Sequence, residues 1–195
     1  TSWLQINKAS VSASGDNFST FSGRSNDARS SQGQCSFALF EGTTDYGEML
    51  ICDGANKPFF FKMTGTGALS DRTFFAGEIT VDSTTAPTVG VIHENHFVVG
   101  GAPTAKNKIF FSATLDPESF SGTGSGSIQL TDAIVGLASF RSDLIIFCKN
   151  SIFKLINISD SSNIAIVPIT QNVGCLDGNS IQEIGGDLLF LSPDG

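Results

Sequence analysis

Four short apolar runs, each led by a polar residue, recur along this chain at a nearly constant interval. They are Glu48-Met-Leu-Ile-Cys52, His96-Phe-Val-Val-Gly100, Asp143-Leu-Ile-Ile-Phe147 and Asp187-Leu-Leu-Phe-Leu191, and their starts lie 48, 47 and 44 residues apart. A chain that repeats on this scale folds as units that bury their faces against one another. Four-stranded propeller blades take about 40–50 residues each. The interval predicts an all-β chain, a β-propeller of four-stranded antiparallel blades. It names no function, because propellers host many.

Composition supports this reading. The 195 residues include 21 Gly and 17 Phe but one Tyr and one Trp, and 40% are hydrophobic. That apolar content excludes a disordered chain, and abundant Gly with many β-formers fits strands joined by tight turns. The net charge of −8 leaves no basic stripe to hold nucleic acid. It argues against a DNA binder but not against a wall past which DNA moves. Of Cys35, Cys52, Cys148 and Cys175, the second and third sit in apolar strand runs, where a reduced thiol is expected. No C-x-x-C pair marks a zinc site. This pattern favours assembly in a reducing cytosol. No run of 18 apolar residues offers a membrane-spanning helix.

The clearest unit is 134–170. Strands are expected at Ile134–Phe140, Asp143–Cys148, Ser151–Ile158 and Asn163–Ile169, joined by polar turns. The second is apolar throughout and should be buried on both faces. The third alternates, with Ile152, Lys154, Ile156 and Ile158 opposite Phe153, Leu155 and Asn157. Pro168 suits an outer edge strand, where a missing N–H matters least. Looser copies occupy 35–81 (Ser36–Glu41, Glu48–Asp53, Pro58–Met63, Thr73–Val81) and 88–131 (Val89–Glu94, His96–Gly100, Lys108–Ala113, Ser127–Leu130). A further blade starts in 180–195 with Ser180–Ile184 and Asp187–Leu191. Residues 1–34 read as a Ser/Gly-rich N-terminal arm after Trp3-Leu-Gln-Ile6, which suits one strand. Propellers close with about four to eight blades. Three and a half are legible here, so the expectation is an incomplete set within a longer polypeptide.

Several features invite chemistry. His93-Glu-Asn-His96 resembles a metalloprotease motif, but H-E-x-x-H places its histidines four apart on one helical face. Three apart on a strand they are expected to point to opposite faces, with structural hydrogen bonds. Thr43-Thr-Asp45-Tyr46-Gly47 and Ser192-Pro-Asp194-Gly195 resemble the Asp-box turns of sialidase-like propellers, where the Asp caps a hairpin. A glycosidase needs two apposed carboxylates or a Tyr nucleophile, and Tyr46 is the single Tyr. Gly100-Gly101 and Gly122-Thr-Gly124-Ser-Gly126 lack the G-K-[ST] of a phosphate loop. Phe59-Phe60-Phe61, between Lys57 and Lys62, invites a stacking platform for single strands, but core packing is the simpler reading in an acidic chain. No residue is assigned a catalytic, cofactor-binding or metal role.

Residues 89–195 carry an ordered set of motifs: Val91-Ile-His-Glu-Asn-His-Phe-Val-Val-Gly-Gly101, Ile109-Phe-Phe-Ser-Ala-Thr-Leu-Asp-Pro-Glu-Ser-Phe120, Ile134-Val-Gly-Leu-Ala-Ser-Phe140, Asp143–Leu155 and Gly174-Cys through Gly195. In order and spacing they resemble the tail nozzle, or tail tubular protein B, family of short-tailed bacteriophages. His96-Phe97 departs from the Arg-Leu that the family often has after the His turn, and residues 1–88 match only as a blade. The resemblance implies a virion structural protein with no catalytic residue and no cofactor. It implies a six-fold ring below the head-to-tail adaptor, contacts with tail fibre proteins, and genomic DNA leaving through the channel without sequence-specific binding. It also implies assembly in the host cytoplasm, with no membrane insertion by this chain. The exposed 10–34 stretch and 115–126 loop are the expected subunit contacts. The alternatives are a non-catalytic propeller that recognises a host glycan or protein, and a carbohydrate-active enzyme.

Overall fold

A computed structural model describes residues 35–42, 47–64, 73–82 and 85–193. The described residues form three four-stranded sheets and one hairpin, each sheet a meander in sequence order. The first blade comprises β1 (Ser36–Phe40), β2 (Glu48–Cys52), β3 (Phe59–Thr64) and β4 (Thr73–Glu78). The second comprises β5 (Val89–His93), β6 (His96–Gly100), β7 (Lys108–Phe111) and β8 (Gly126–Gln129). The third comprises β9 (Ile134–Phe140), β10 (Asp143–Cys148), β11 (Ile152–Ile156) and β12 (Ala165–Thr170). A 3-10 turn at Gly178–Ser180 leads into the hairpin β13 (Gln182–Ile184) and β14 (Asp187–Leu189). All strand pairs within the sheets are antiparallel. The described residues are thus a run of propeller-blade-like antiparallel sheets.

β1 packs beside β5, and β5 beside β9. The first strand of each blade is therefore innermost, and each blade runs outward from it. β12 is outermost, and Pro168 lies there, exposed. The recurring apolar runs are the second strands, and those of the second and third blades are sandwiched between neighbours. In β10, Leu144 to Cys148 are all buried.

Three apolar seams hold the blades together. Leu50, Cys52, Phe60 and Phe40 of the first blade meet Phe97, Val99 and Phe110 of the second. Val98, Ile109 and Phe111 meet Leu144, Ile146, Phe153 and Leu155 of the third. Ile145, Phe147 and Ile152 then meet Leu188 and Phe190 of the hairpin. Gly90 allows a close approach in the first seam: a Cβ there would lie 2.8 Å from the Phe97 ring and 3.0 Å from Cys52 Sγ.

The expected alternation along β11 breaks after Ile156. Asn157 has φ 57°, a left-handed conformation that Asn tolerates. This turn of the backbone puts Ile158 in the same cluster as Phe153 and Leu155, rather than with Ile152. The fourth unit also begins later than expected, because Gly178–Ser180 forms a 3-10 turn whose N-cap is Asp177. Both the 1–34 arm and the Asp45/Tyr46 turn lie outside the described residues, as do Asp194 and Gly195.

Candidate functional site: polar seams at the strand heads

Each second strand starts with a polar residue: Glu48, His96, Asp143 and Asp187. The first two are buried although polar, at 4% and 0% exposure. That is unusual enough to require partners.

The two histidines belong to one hairpin. Glu94 and Asn95, with φ 45° and 62°, form the two-residue turn that suits right-handed strand twist. His93 and His96 are therefore direct cross-strand partners. Such partners share a face, which corrects the expectation of opposite faces: the turn falls between them, so they are not three apart on one strand. Both point into the seam with the third blade. His93 Nδ1 lies 2.8 Å from Ser139 Oγ on β9. His96 Nδ1 lies 2.6 Å from the Ser112 carbonyl oxygen, so Nδ1–H donates and Nε2 carries the lone pair. Thr114 Oγ1, 3.2 Å away, and Ser159 Oγ, 3.3 Å away, face that lone pair. Ser159 Oγ also lies 3.3 Å from Glu94 Oε2.

Behind His96 stands a backbone carbonyl, where a Ser-His-Asp triad has a carboxylate. His93 Nε2 is buried with no hydrogen-bond partner. Burial disfavours the charged imidazole and lowers the His93 pKa below its usual range. Among the described residues, no three His, Cys, Asp or Glu side chains are placed to hold a metal ion.

The first seam has a different head. Glu48 pairs across the sheet with Lys62, and Lys62 forms an ion pair with Glu118 from the loop after β7. Glu48 Oε1 is buried without a hydrogen-bond partner. Burial first, then the nearby Glu118 carboxylate, push the Glu48 pKa up to about 7, while Lys62 opposes the rise. In the third blade Asp143 is simply paired with Lys154 at 2.9 Å, at a half-exposed position.

At the opposite ends of these strands, carboxylates cap turns. Asp53 accepts from the Asn56 and Ala55 amides at 2.8 and 3.1 Å. Asp132 accepts from the Asn150 amide at 2.7 Å, the Ser151 hydroxyl at 2.8 Å and the Ala133 amide at 2.8 Å. Burial raises the Asp132 carboxyl, but these bonds outweigh it and hold its pKa below the usual value. Asp177 caps the 3-10 turn through the Asn179 amide at 3.0 Å. Between the innermost strands runs an axial groove of about 840 Å³, edged by Asp53, Thr88, Lys106, Asp177 and Gln182. That is the size of a small-molecule pocket.

Among the other sequence features, Phe60 belongs to the first seam. Phe59 and Phe61 lie on the other face of the sheet, edge to face at 5.5 Å. Lys62, beside them, pairs with Glu118, and Lys57 donates to Thr80 Oγ1 at 3.2 Å. The glycines serve turns: Gly101 and Gly124 have φ 69° and 86°. Cys52, Cys148 and Cys175 are buried free thiols. Burial raises the first two, Cys148 to about 12, so both stay protonated and unreactive near neutrality. Sequence reasoning missed Glu48 as a buried acid. The signal lay in the repeat itself, since Glu48 heads its run as the buried His96 heads the next. Compared with known proteins, the chain matches no family model and no curated protein.

Proposed function

We propose that this chain is a structural, non-catalytic part of a bacteriophage tail nozzle, contributing blades to a ring around the DNA-ejection channel. The observation that carries the reading is the ordered motif set of residues 89–195, whose strand segments fall on β5, β6, β7, β9, β10, β11, β13 and β14 in turn. The polar seams support a structural role. Most of their groups are engaged within the fold, with His96 on Ser112 and Thr114 and Asp132 on its turn. On this reading DNA passes outside a single copy, in a channel that several copies surround. A net charge of −8 gives such a wall the sign that lets a polyanion slide past without sticking.

Cryo-electron microscopy of particles containing this chain tests the reading. The expected result is a six-fold ring coaxial with the DNA channel. A monomer or trimer at a fibre tip would sink it in favour of a receptor-binding propeller. In a particle with the ring, replacing channel-facing Asp or Glu by Lys is expected to slow DNA release; unchanged kinetics would remove the electrostatic part.

A further inference from the structure

Glu48 sits where the first seam meets the loop that follows β7. Its neighbours on the sheet are Phe40 and Lys62. Among the described residues, the charged groups acting on it are Glu118 and Asp116 of that loop and Lys62 of β3. One ammonium thus stands among three carboxylates. In the structure it bonds Glu118, while Glu48 Oε1, buried, has no partner. Lys62 also lies 4.8 Å from the Phe60 ring centroid, so its position is confined.

We propose that Glu48, Lys62 and Glu118 form a proton-controlled latch between the first and second blades: it holds the 113–119 loop down while Glu48 keeps its proton, and lets it go when the proton leaves. A neutral Glu48 makes no claim on the ammonium, which binds Glu118 and ties the loop to β3. Ionised Glu48 is the cross-strand neighbour of Lys62, so it competes for the cation. It also repels Glu118 and Asp116. The loop is fastened at both ends by other contacts. The Leu115 amide donates to the Asn95 carbonyl at 2.9 Å, and Phe120 stands edge-on to Phe97 at 6.2 Å. Release therefore loosens the 113–119 loop, its Ala113–Ser119 closure included, without unfolding the blade. Its internal bonds, Ala113 N to Ser119 O at 2.8 Å and Ser119 N to Asp116 O at 3.2 Å, report the state.

The experiment is amide hydrogen exchange on the 195-residue chain at acid and alkaline sides of neutrality, corrected for the chemical exchange rate. In the wild-type chain the Ala113 and Ser119 amides are expected to lose about tenfold in protection on the alkaline side. Glu48→Gln keeps them protected on both sides, and Glu118→Gln leaves them unprotected on both. Amides of β10 and β11 serve as the control for folding in each variant. A wild-type loop with pH-independent protection overturns the latch, and so does a Glu48→Gln chain that retains the wild-type pH dependence. Should either variant lose protection in β10, the carboxyl carbon shift of Glu48 in the wild-type chain decides. A transition near neutrality that the Ala113 amide shift follows supports the latch; a transition in the ordinary carboxylate range overturns it.

Discussion

Gly174 is buried, and a single methyl added to it would lie 2.1 Å from the Lys149 carbonyl oxygen and 2.3 Å from its carbon. The obstacle is backbone, which cannot swing aside as a side chain can. The next residue, Cys175, donates its amide to the Cys148 carbonyl at 2.9 Å, so the strand end and this glycine are locked together. Gly174→Ala is expected to cost about 3 kcal/mol, read as a lower urea midpoint in chemical denaturation. Two other residues set the pH response. Glu48 has a folded pKa raised from 4.5 to about 7. Its contribution is full below 4.5 and is lost as pH rises through 7, a swing of about 3 kcal/mol. His93 is shifted the other way, below 6.5. Its contribution is present above 6.5 and is lost as pH falls through the lower folded value. Between 4.5 and 6.5 the two oppose each other, so urea titrations across pH should show Glu48→Gln removing the loss that runs up to about 7 and His93→Gln removing the loss below 6.5.

At the level of elements, the repeat has an internal code. The second residue of each apolar run packs against the preceding blade: Phe97 against the first, Leu144 against the second, Leu188 against the third. The third residue packs against the following blade: Leu50, Val98 and Ile145. Met49 and Leu189 occupy the same positions at the two ends of the arc and are 45% and 53% exposed. Leu144→Ala, at 0% exposure, should cost about 3 kcal/mol. Met49→Ala should cost less than about 1 kcal/mol, and thermal melts of the two variants measure the difference. Much of this was legible in the sequence. The second strands recur in composition and spacing, so their bounds in the third blade were expected to the residue. What escaped was conformational. Strands ending at Glu94 and starting at His96 were legible, but not the positive φ of Glu94 and Asn95, which makes the tight turn across which the histidines pair. Asn157 hides in a perfect alternation that its own φ reverses. Glu48 was visible as a polar residue, but its burial depends on a loop some seventy residues on that carries Glu118.

At the scale of the whole molecule, the arc presents two apolar ends. Phe37 and Leu39 join Met49 on one, at 57% and 58% exposure; Ile184, Leu189 and Leu191 lie on the other, at 58%, 53% and 50%. Clustered apolar side chains of this kind mark interaction surfaces. The 195-residue chain in isolation is expected to self-associate as its concentration rises, and Leu39→Glu to reduce this; sedimentation velocity at several concentrations measures both. The charge of −8 opposes association at low salt, so adding salt should favour it.

Every strand in the three sheets pairs with one adjacent in sequence, from the innermost outward. No β-strand within a blade waits for a partner made later. As the chain leaves a ribosome, each blade has all its strands before the next one emerges, and the finished blade offers its flank as the template for the new one. The order of synthesis and the order of assembly are then the same, and an interruption leaves every earlier blade whole.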